Sequence, residues 1–406
     1  MTWPRTLVRG APFALCAGVL LLVWYPLRTP QVSSLAAVWS RSHDVVVALL
    51  LAAAVPAFIR VSRTRGPWFR DLPLLYLALC MISVIPLVGV PTLGISYARM
   101  QWVTLATFAA TYLCSYAVAR WEPNVVVGLA AVWCSWGITS AVRTVVAAAA
   151  QGRLAHDFVD PMGHANSRAG FELGAMLVVL GVVWKGHRTF RKLGLPILLL
   201  FLTSVGLSLS RGAWFGLAVA VAVGVAERWG WKRAALALAV CGALVAVVPG
   251  PVGQRARSVA DASFATNLFR LKIWGATLQL ISENPWGGVG YDTMWFAMLS
   301  QLGSDLSTLA GKHVHNLLLQ TWAETGLLGA LALIGVFVAL LRLGWVGRRD
   351  RRPWIGPLAW GFVLAMVGMI VHNLVDCTWR DYGQQVVFWS MVGWLFATAQ
   401  QGQATG

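Results

Sequence analysis

Charged residues are scarce in this sequence. They make up 12% of its 406 residues, and only 15 residues are Asp or Glu, whereas about a quarter of a soluble domain is charged. Hydrophobic residues make up 58%, and the mean hydropathy is +0.68. This balance excludes a soluble globular domain. It predicts an all-α polytopic membrane protein, because apolar runs of about 20 residues cross a bilayer as helices.

The sequence also lacks cysteine pairs. Its six cysteines lie singly in or beside apolar runs, without a C-x-x-C spacing, so we expect neither disulfides nor a metal site. The net charge is +17, which in a soluble protein would suggest nucleic-acid binding. In a membrane protein the same excess is typical of basic cytoplasmic loops. We therefore expect membrane lipids, and no nucleic acid, as partners.

Apolar runs predict about twelve transmembrane helices and three parts of the chain. The runs lie near residues 11–27, 43–60, 72–92, 99–120, 123–149, 168–184, 193–210, 211–227, 233–249, 315–342, 354–376 and 382–400. Residues 1–249 would hold the first nine helices, residues 250–314 a long loop, and residues 315–406 the last three. The start resembles a signal sequence without a small-residue cleavage site, so we interpret it as an uncleaved first helix.

The orientation of these helices follows from the basic clusters. The segments RVSRTRGPWFR, KGHRTFRK and RRDRR all fall on the cytoplasmic side if the N-terminus is cytoplasmic, as the positive-inside rule requires. The long loop is then external. Within it, residues 263–285 predict a helix with Ser263 as N-cap and a stop at Pro285. Arg270 and Lys272 lie about 200° apart on that helix, so only one of them can easily face a given site, and the polar and aromatic neighbours of Arg270 favour Arg270.

Polar side chains gather at the external ends of several predicted helices. His315 is a candidate neutral base near pH 7, and arginine binds phosphate oxygens through its planar fork. Such a set can bind a large anion and perform acid–base chemistry on it. The set comprises His164, Asn166, Arg211, Arg255, Arg257, Arg270, Lys272, His313, His315, Asn316, Asp376 and Arg380. Gln320 and Glu324 follow on one helical stripe, where they either face a cavity or bond a neighbouring helix.

Ordered motifs in this chain resemble the bacterial O-antigen ligase and polymerase superfamily. HNLLLQTWAETGLLG, from His315 to Gly329, fits the pattern H-N-x9-G-x-x-G. SRGAW at Arg211, R-x-x-I-W at Arg270, ENPWGGVGYD, and HNLVD ending at Asp376 are similar to further blocks in the same order. The resemblance covers roughly residues 150–380, and it is greatest to the ligases.

The resemblance implies a glycosyltransferase of the Gram-negative inner membrane with its site facing the periplasm. Such enzymes move a glycan from undecaprenyl diphosphate to lipid A–core oligosaccharide, and they use no cofactor and no metal. The sequence has no D-x-D metal motif, so arginines would neutralise the diphosphate. We expect direct, inverting attack with His315 as the base and Asp376 as a second catalytic group.

The remaining candidates divide between the donor and the acceptor. We expect Arg211, Arg270, Lys272, Arg255 and Arg257 to bind the diphosphate. The acceptor region, or other polar positions of the site, would comprise Asn316, His313, His164, Asn166 and Arg380.

Three alternatives remain open. An O-antigen polymerase and a protein O-oligosaccharyltransferase share the same motifs. A transporter of lipid-linked sugars would favour inverted repeats and mid-membrane charge, but the sequence has no clear internal repeat. Glu172 and Glu324 are the main charges inside the predicted spans.

Overall fold

The protein is helical in a computed structural model. The structure describes residues 5–24, 33–65, 68–89, 94–151, 165–186, 188–247, 250–258, 261, 264–294, 296–298 and 313–404. Within these ranges the chain forms α-helices and short 3₁₀ turns, and no strand. The predicted all-α class is therefore confirmed for this part of the chain.

We number the α-helices in chain order. They are α1 (Arg5–Trp24), α2 (Ser33–Arg65), α3 (Leu72–Ser83), α4 (Gly94–Ala119), α5 (Val125–Gln151), α6 (Ala165–Lys185), α7 (Arg188–Leu207), α8 (Arg211–Trp229), α9 (Trp231–Val247), α10 (Gly250–Arg257), α11 (Ala265–Glu283), α12 (Leu317–Gly347), α13 (Ile355–Asn373) and α14 (Tyr382–Ala404). Turns of 3₁₀ helix lie at Trp68–Arg70, Ile85–Gly89 and Thr378–Arg380.

Eight segments of the described chain are long and apolar enough to cross a membrane. They are Asp44–Arg63, Leu72–Gly89, Gly94–Ala119, Val125–Ala150, Ala165–Lys185, Phe190–Leu207, Leu317–Gly347 and Ile355–Asn373. These segments confirm the coarse prediction of a multi-span protein. The other predicted spans coincide with α1, α8, α9 and α14, so the number twelve and the external position of the long loop stay predictions.

Glycines bring α6, α8 and α13 into close contact. A Cβ on Gly181 of α6 would stand 2.2 Å from the Cα of Gly361 in α13, and one on Gly216 of α8 would stand 2.4 Å from the carbonyl oxygen of Gly368. Small residues allow such backbone contact in membrane proteins, where packing rather than hydrophobicity joins helices. The three helices thus form one tightly packed unit, and Asp376 follows directly after its member α13.

Helix α12 bends at Gly326, whose φ is +71°. The glycine-rich segment 285–290 lies against this bend, where the Val289 amide donates to the Ala323 carbonyl at 2.8 Å. A Cβ on Gly326 would stand 1.7 Å from the Trp286 carbonyl oxygen. Only glycine fits, because it tolerates both the positive φ and the backbone contact. The bend therefore fastens the end of the long-loop region to α12.

Helix α11 lies beside the beginning of α12. Its buried Ile273 and Leu280 belong to a small apolar cluster with Ala323 of α12, and the Trp274 indole donates to the Val314 carbonyl at 3.0 Å. The structure begins α11 after Phe264 and ends it at Glu283, close to the predicted limits. The predicted N-cap at residue 263 lies outside the described residues.

Candidate active site

His315, just before the start of α12, forms a pair with Asp376, just after the end of α13. The Nδ1 of His315 lies 3.2 Å from the Oδ1 of Asp376. No described residue bonds the other ring nitrogen, Nε2, so it is the atom of His315 that can meet a substrate proton. Hydrogen bonding at one nitrogen fixes the imidazole orientation and favours the tautomer that leaves the second nitrogen basic.

The backbone holds His315 in an uncommon conformation. Its φ is +56°, a value that few residues other than glycine adopt, although histidine is enriched among them. The next residue, Asn316, caps α12 by accepting the Leu319 amide at 3.0 Å. Its amide also donates to the Leu374 carbonyl at 3.0 Å. Asn316 thus joins the start of α12 to the end of α13, and it fixes the backbone beside His315.

Asp376 receives hydrogen bonds on both carboxylate oxygens. The Asn166 side chain of α6 donates to Oδ2 at 2.7 Å, and the Cys377 amide donates to Oδ1 at 2.9 Å. A nitrogen of the Arg270 guanidinium lies 3.6 Å from Oδ2. Burial alone would raise the pKa of Asp376, but the His315 hydrogen bond and the charges of His315, His372 and Arg270 hold this pKa below its ordinary value. Asp376 is therefore an anion that orients its neighbours.

A second polar group surrounds Arg211 at the start of α8. One guanidinium nitrogen donates to the Ser258 carbonyl at 2.9 Å. The other donates to the Asn267 side chain at 2.6 Å and to the Thr266 hydroxyl at 3.0 Å. These contacts join the start of α8 to α10 and α11. They also fix the plane of the guanidinium. Arg211 and the α11 residues that it contacts are more than 50 positions apart in sequence.

Arg255 lies beside Arg211, and the two share one aromatic ring. Their guanidinium carbons stand 5.5 and 5.6 Å from the Phe264 ring centroid. Burial and the charge of Arg270 lower the pKa of Arg255. Burial and the charges of Arg255 and Arg270 likewise lower the pKa of Arg211. Among the described residues, no carboxylate forms an ion pair with Arg211 or Arg255. The three arginines thus form a positive cluster suited to an anionic ligand.

The other predicted basic residues differ in exposure. Lys272 is exposed and Arg257 is exposed, whereas Arg270 is partly buried. Arg270 approaches Asp376, whereas Lys272 lies elsewhere on the surface of α11. The diphosphate roles of both residues stay predictions.

His313 is half-buried near the pair. Burial lowers the pKa of His313 to about 4, so this imidazole is neutral at physiological pH. Its Nδ1 has no hydrogen-bond partner in the described part of the chain. His164 lies outside the described residues. Asn166 is brought to Asp376, and the acceptor role predicted for it stays a prediction.

The side chain of Arg380, four residues after Asp376, is buried. It forms an ion pair with Glu324 of α12, and the side chains are 3% and 0% exposed. Its guanidinium carbon lies 4.3 Å from the Tyr291 ring centroid. The acceptor role predicted for Arg380 is untested by this geometry. The sequence analysis missed two aromatic partners of the arginines: Tyr291, which contacts Arg380, and Phe264, which contacts Arg211 and Arg255. The local signal for Tyr291 was its place in the glycine-rich segment.

The geometry defines a helical membrane protein suited to acid–base chemistry on an anionic substrate. Residues 196–334 match a family model described as O-antigen ligase. A curated O-antigen ligase of Pseudomonas aeruginosa is 32% identical over 118 residues, which cover 29% of this chain and 25% of the relative. The chain thus matches about a quarter of that relative's length.

These matches confirm the predicted resemblance over the central segment. The segment that matches the family model includes Arg211, Arg255, Arg270 and His315, and it ends before Asp376. Asp376 and Asn166 join the site through the fold.

Proposed function

We propose that this protein is an O-antigen ligase of the Gram-negative inner membrane. It would transfer a glycan from undecaprenyl diphosphate to lipid A–core oligosaccharide at the periplasmic face. The observation that carries the proposal is the His315–Asp376 contact beside arginines that lack carboxylate partners in the described chain. The match of residues 196–334 to the O-antigen ligase family supports the same reaction class.

The proposed reaction is a single displacement. A hydroxyl oxygen of the acceptor sugar attacks C1 of the donor sugar, and the bond from C1 to the diphosphate oxygen breaks. Undecaprenyl diphosphate leaves with the electron pair, and the Nε2 of His315 takes the hydroxyl proton. Attack from the face opposite the leaving group inverts the anomeric centre. Asp376 orients the imidazole and stabilises its protonated form, as a carboxylate does for histidine bases elsewhere.

The arginine cluster suits the leaving group. A diphosphate gains charge as the C1–oxygen bond breaks, and preorganised cations stabilise charge that develops in the transition state. Arg211 is already fixed by Ser258 and Asn267, so little reorganisation accompanies substrate binding. Arg255 and Arg270 would complete the diphosphate site, while the exposed Lys272 and Arg257 would act at longer range.

Reconstitution tests this function. Purified protein is mixed with undecaprenyl diphosphate-linked glycan and lipid A–core in the presence of EDTA. We expect glycosylated lipid A–core as the product, and His315→Ala as the matched control should give very little. Extension of the lipid-linked glycan without use of lipid A–core would instead identify a polymerase. Transport of the donor without any transfer would overturn the proposal.

Impermeant thiol labelling tests the proposed orientation. Single cysteines replace Arg211, Arg270, His315 or Asp376 in a background without the six native cysteines. Each should react from the periplasmic side of intact cells, because all four lie at one end of the bundle. A cysteine at Lys185, the other end of α6, is the matched control and should react only from the cytoplasm. Labelling of any site residue only from the cytoplasm would reverse the proposed topology.

A further inference from the structure

A chain of buried hydrogen bonds connects the segments that carry His315 and Asp376. The Val314 amide, next to His315, donates to Gln320 Oε1 at 3.2 Å. The Gln320 amide in turn donates to Glu324 Oε1 at 2.9 Å. The other carboxylate oxygen of Glu324 accepts from Arg380. The chain begins one residue before His315 and ends four residues after Asp376.

Arg380 has few alternatives to this bond. Its Nε and Nη1 atoms are buried and have no hydrogen-bond partner among the described residues, and its flat face covers the Tyr291 ring. Glu324 is fully buried. A buried charge that loses its partner is strongly destabilising. The ion pair with Glu324 therefore fixes the position of Arg380, and with it the position of the 3₁₀ turn Thr378–Arg380.

The Glu324 end of the chain is equally fixed. The Gly290 amide donates to the Glu324 carbonyl at 2.9 Å, and the Tyr291 amide donates to the Ser83 hydroxyl at 3.1 Å. Glu324 lies two residues before the bend at Gly326. The ion pair thus connects a rigid part of α12 to the turn that follows Asp376.

We propose that Gln320, Glu324 and Arg380 are positioning residues that hold the His315–Asp376 pair in its reactive geometry. The inference rests on the proposed function of that pair. His315 has a positive φ, and residues in such conformations persist only when surrounding contacts enforce them. The Gln320 bond to Val314 supplies one such contact, and the Arg380 ion pair fixes the segment of Asp376. The polar stripe on α12 therefore serves the site without touching substrate.

The test replaces the ion pair by apolar side chains of similar volume. The double variant Glu324→Leu/Arg380→Met avoids an unpaired buried charge, and such exchanges are often neutral for stability. We expect kcat to fall about 10²-fold, as a displacement near 1 Å can cause, while the donor KM stays within about twofold. The same exchange at Asp350 and Arg352, an ion pair at 2.7 Å beyond the other end of α12, is the matched control and should leave kcat unchanged.

Coupling to His315 separates positioning from other roles. In a His315→Ala background, the Glu324→Leu/Arg380→Met exchange should cause no further loss of kcat, because the residues act through the histidine. An equal 10²-fold loss in both backgrounds would show that Arg380 acts on the substrate or on the fold, and it would overturn the inference. Full activity of the double variant would overturn it as well.

A chemical readout keeps this inference separate from the proposed reaction. Diethyl pyrocarbonate modifies accessible imidazoles, and mass spectrometry of the His315 peptide gives the rate. The His315 side chain is 24% exposed. We expect the double variant to be modified several-fold faster than the wild type, whereas the Asp350 and Arg352 control should match the wild type. An unchanged rate contradicts positioning even if transfer occurs. A changed rate with no transfer by the wild type contradicts the proposed function alone.

Discussion

Helices α6 and α12 run between two groups of charged side chains. The basic residues of one group have a carboxylate partner, and two arginines of the other have none among the described residues. At the far end, Glu227 accepts from Lys185 at 2.8 Å and lies 3.5 Å from Arg348. At the site end, Arg211 and Arg255 share the Phe264 ring, and no carboxylate in the described part of the chain pairs with them.

The difference distinguishes charges that are paired within the protein from charges that remain available to an anionic ligand. Partly exposed ion pairs such as Lys185–Glu227 contribute little to stability, and there the basic side chains have a carboxylate partner. Arg211 and Arg255 have no acidic partner among the described residues, and Arg270 adds to the positive charge acting on both. This repulsion is relieved when an anion binds. The arrangement at the site end is therefore suited to an anionic ligand, as the proposed function requires.

The largest effect should come from His315→Ala. Removal of a general base typically costs 10²–10⁴-fold, so we expect glycan transfer to fall by about that range while the protein still binds the lipid-linked donor. Steady-state transfer and donor-binding assays measure the two quantities. His313→Ala should be milder, because His313 forms no hydrogen bond with Asp376 in the described part of the chain. Near-wild-type transfer by His315→Ala would exclude its role as the base.

A smaller effect should follow when arginine geometry changes and charge does not. We expect Arg211→Lys and Arg270→Lys each to lower kcat/KM by about tenfold to a hundredfold, because lysine lacks the planar fork. Arg348→Lys at the other end of α12 is the matched control and should have little effect on transfer rates. Lys272→Ala should also be mild. If it were the most damaging substitution, the orientation of α11 would be wrong.

The smallest effects concern stability and should have opposite signs at the two ends. Burial raises the pKa of Asp381 to about 7, so the folded state holds a proton there that the unfolded state loses near pH 4. This contribution therefore falls as pH rises from about 4 to about 7. Asp381→Asn should raise the unfolding temperature by a few degrees at pH 8 and change it little at pH 4.

Asp350 provides the contrasting case. Its hydrogen bond from Arg352, at 2.7 Å, lowers the pKa of Asp350. Its stabilising effect is present above the ordinary aspartate pKa and is lost as pH falls through the lowered value. Asp350→Asn should thus lower the unfolding temperature slightly at pH 8. Thermal unfolding in detergent at both pH values measures both variants, and equal signs would contradict the assigned environments.

The sequence predicted the helices better than the contacts between them. Long apolar runs are sufficient to locate spans, and the 200° separation of Arg270 and Lys272 agrees with one half-buried and one exposed side chain. Counting spans also placed His315 and Asp376 at one end of the bundle. Their contact, across 61 positions, depends on how α12 packs beside α13, and no local pattern encodes that packing.

Other features depended on tertiary structure entirely. Asn166 and Asp376 are 210 positions apart, and the sequence analysis put both at the external ends of predicted helices without pairing them. Glu324 and Arg380 were visible as polar residues in or near spans, but either a cavity or a neighbouring helix could have received Glu324. The positive φ of His315 and the bend at Gly326 arise from backbone contacts that only the folded chain makes.

The bend also sets a fixed length within α12. Nine residues separate Asn316, which caps the helix, from Gly326, where it turns, so the two positions are ten steps apart, a rise of about 15 Å at 1.5 Å per residue. Inserting or deleting one residue in this interval would rotate everything beyond it by about 100°. Glu324 would then leave the side that meets Arg380, or Gly326 would leave the segment 285–290. Changes of length should therefore be tolerated far less in residues 317–325 than after the bend, even where the inserted residue is a simple alanine.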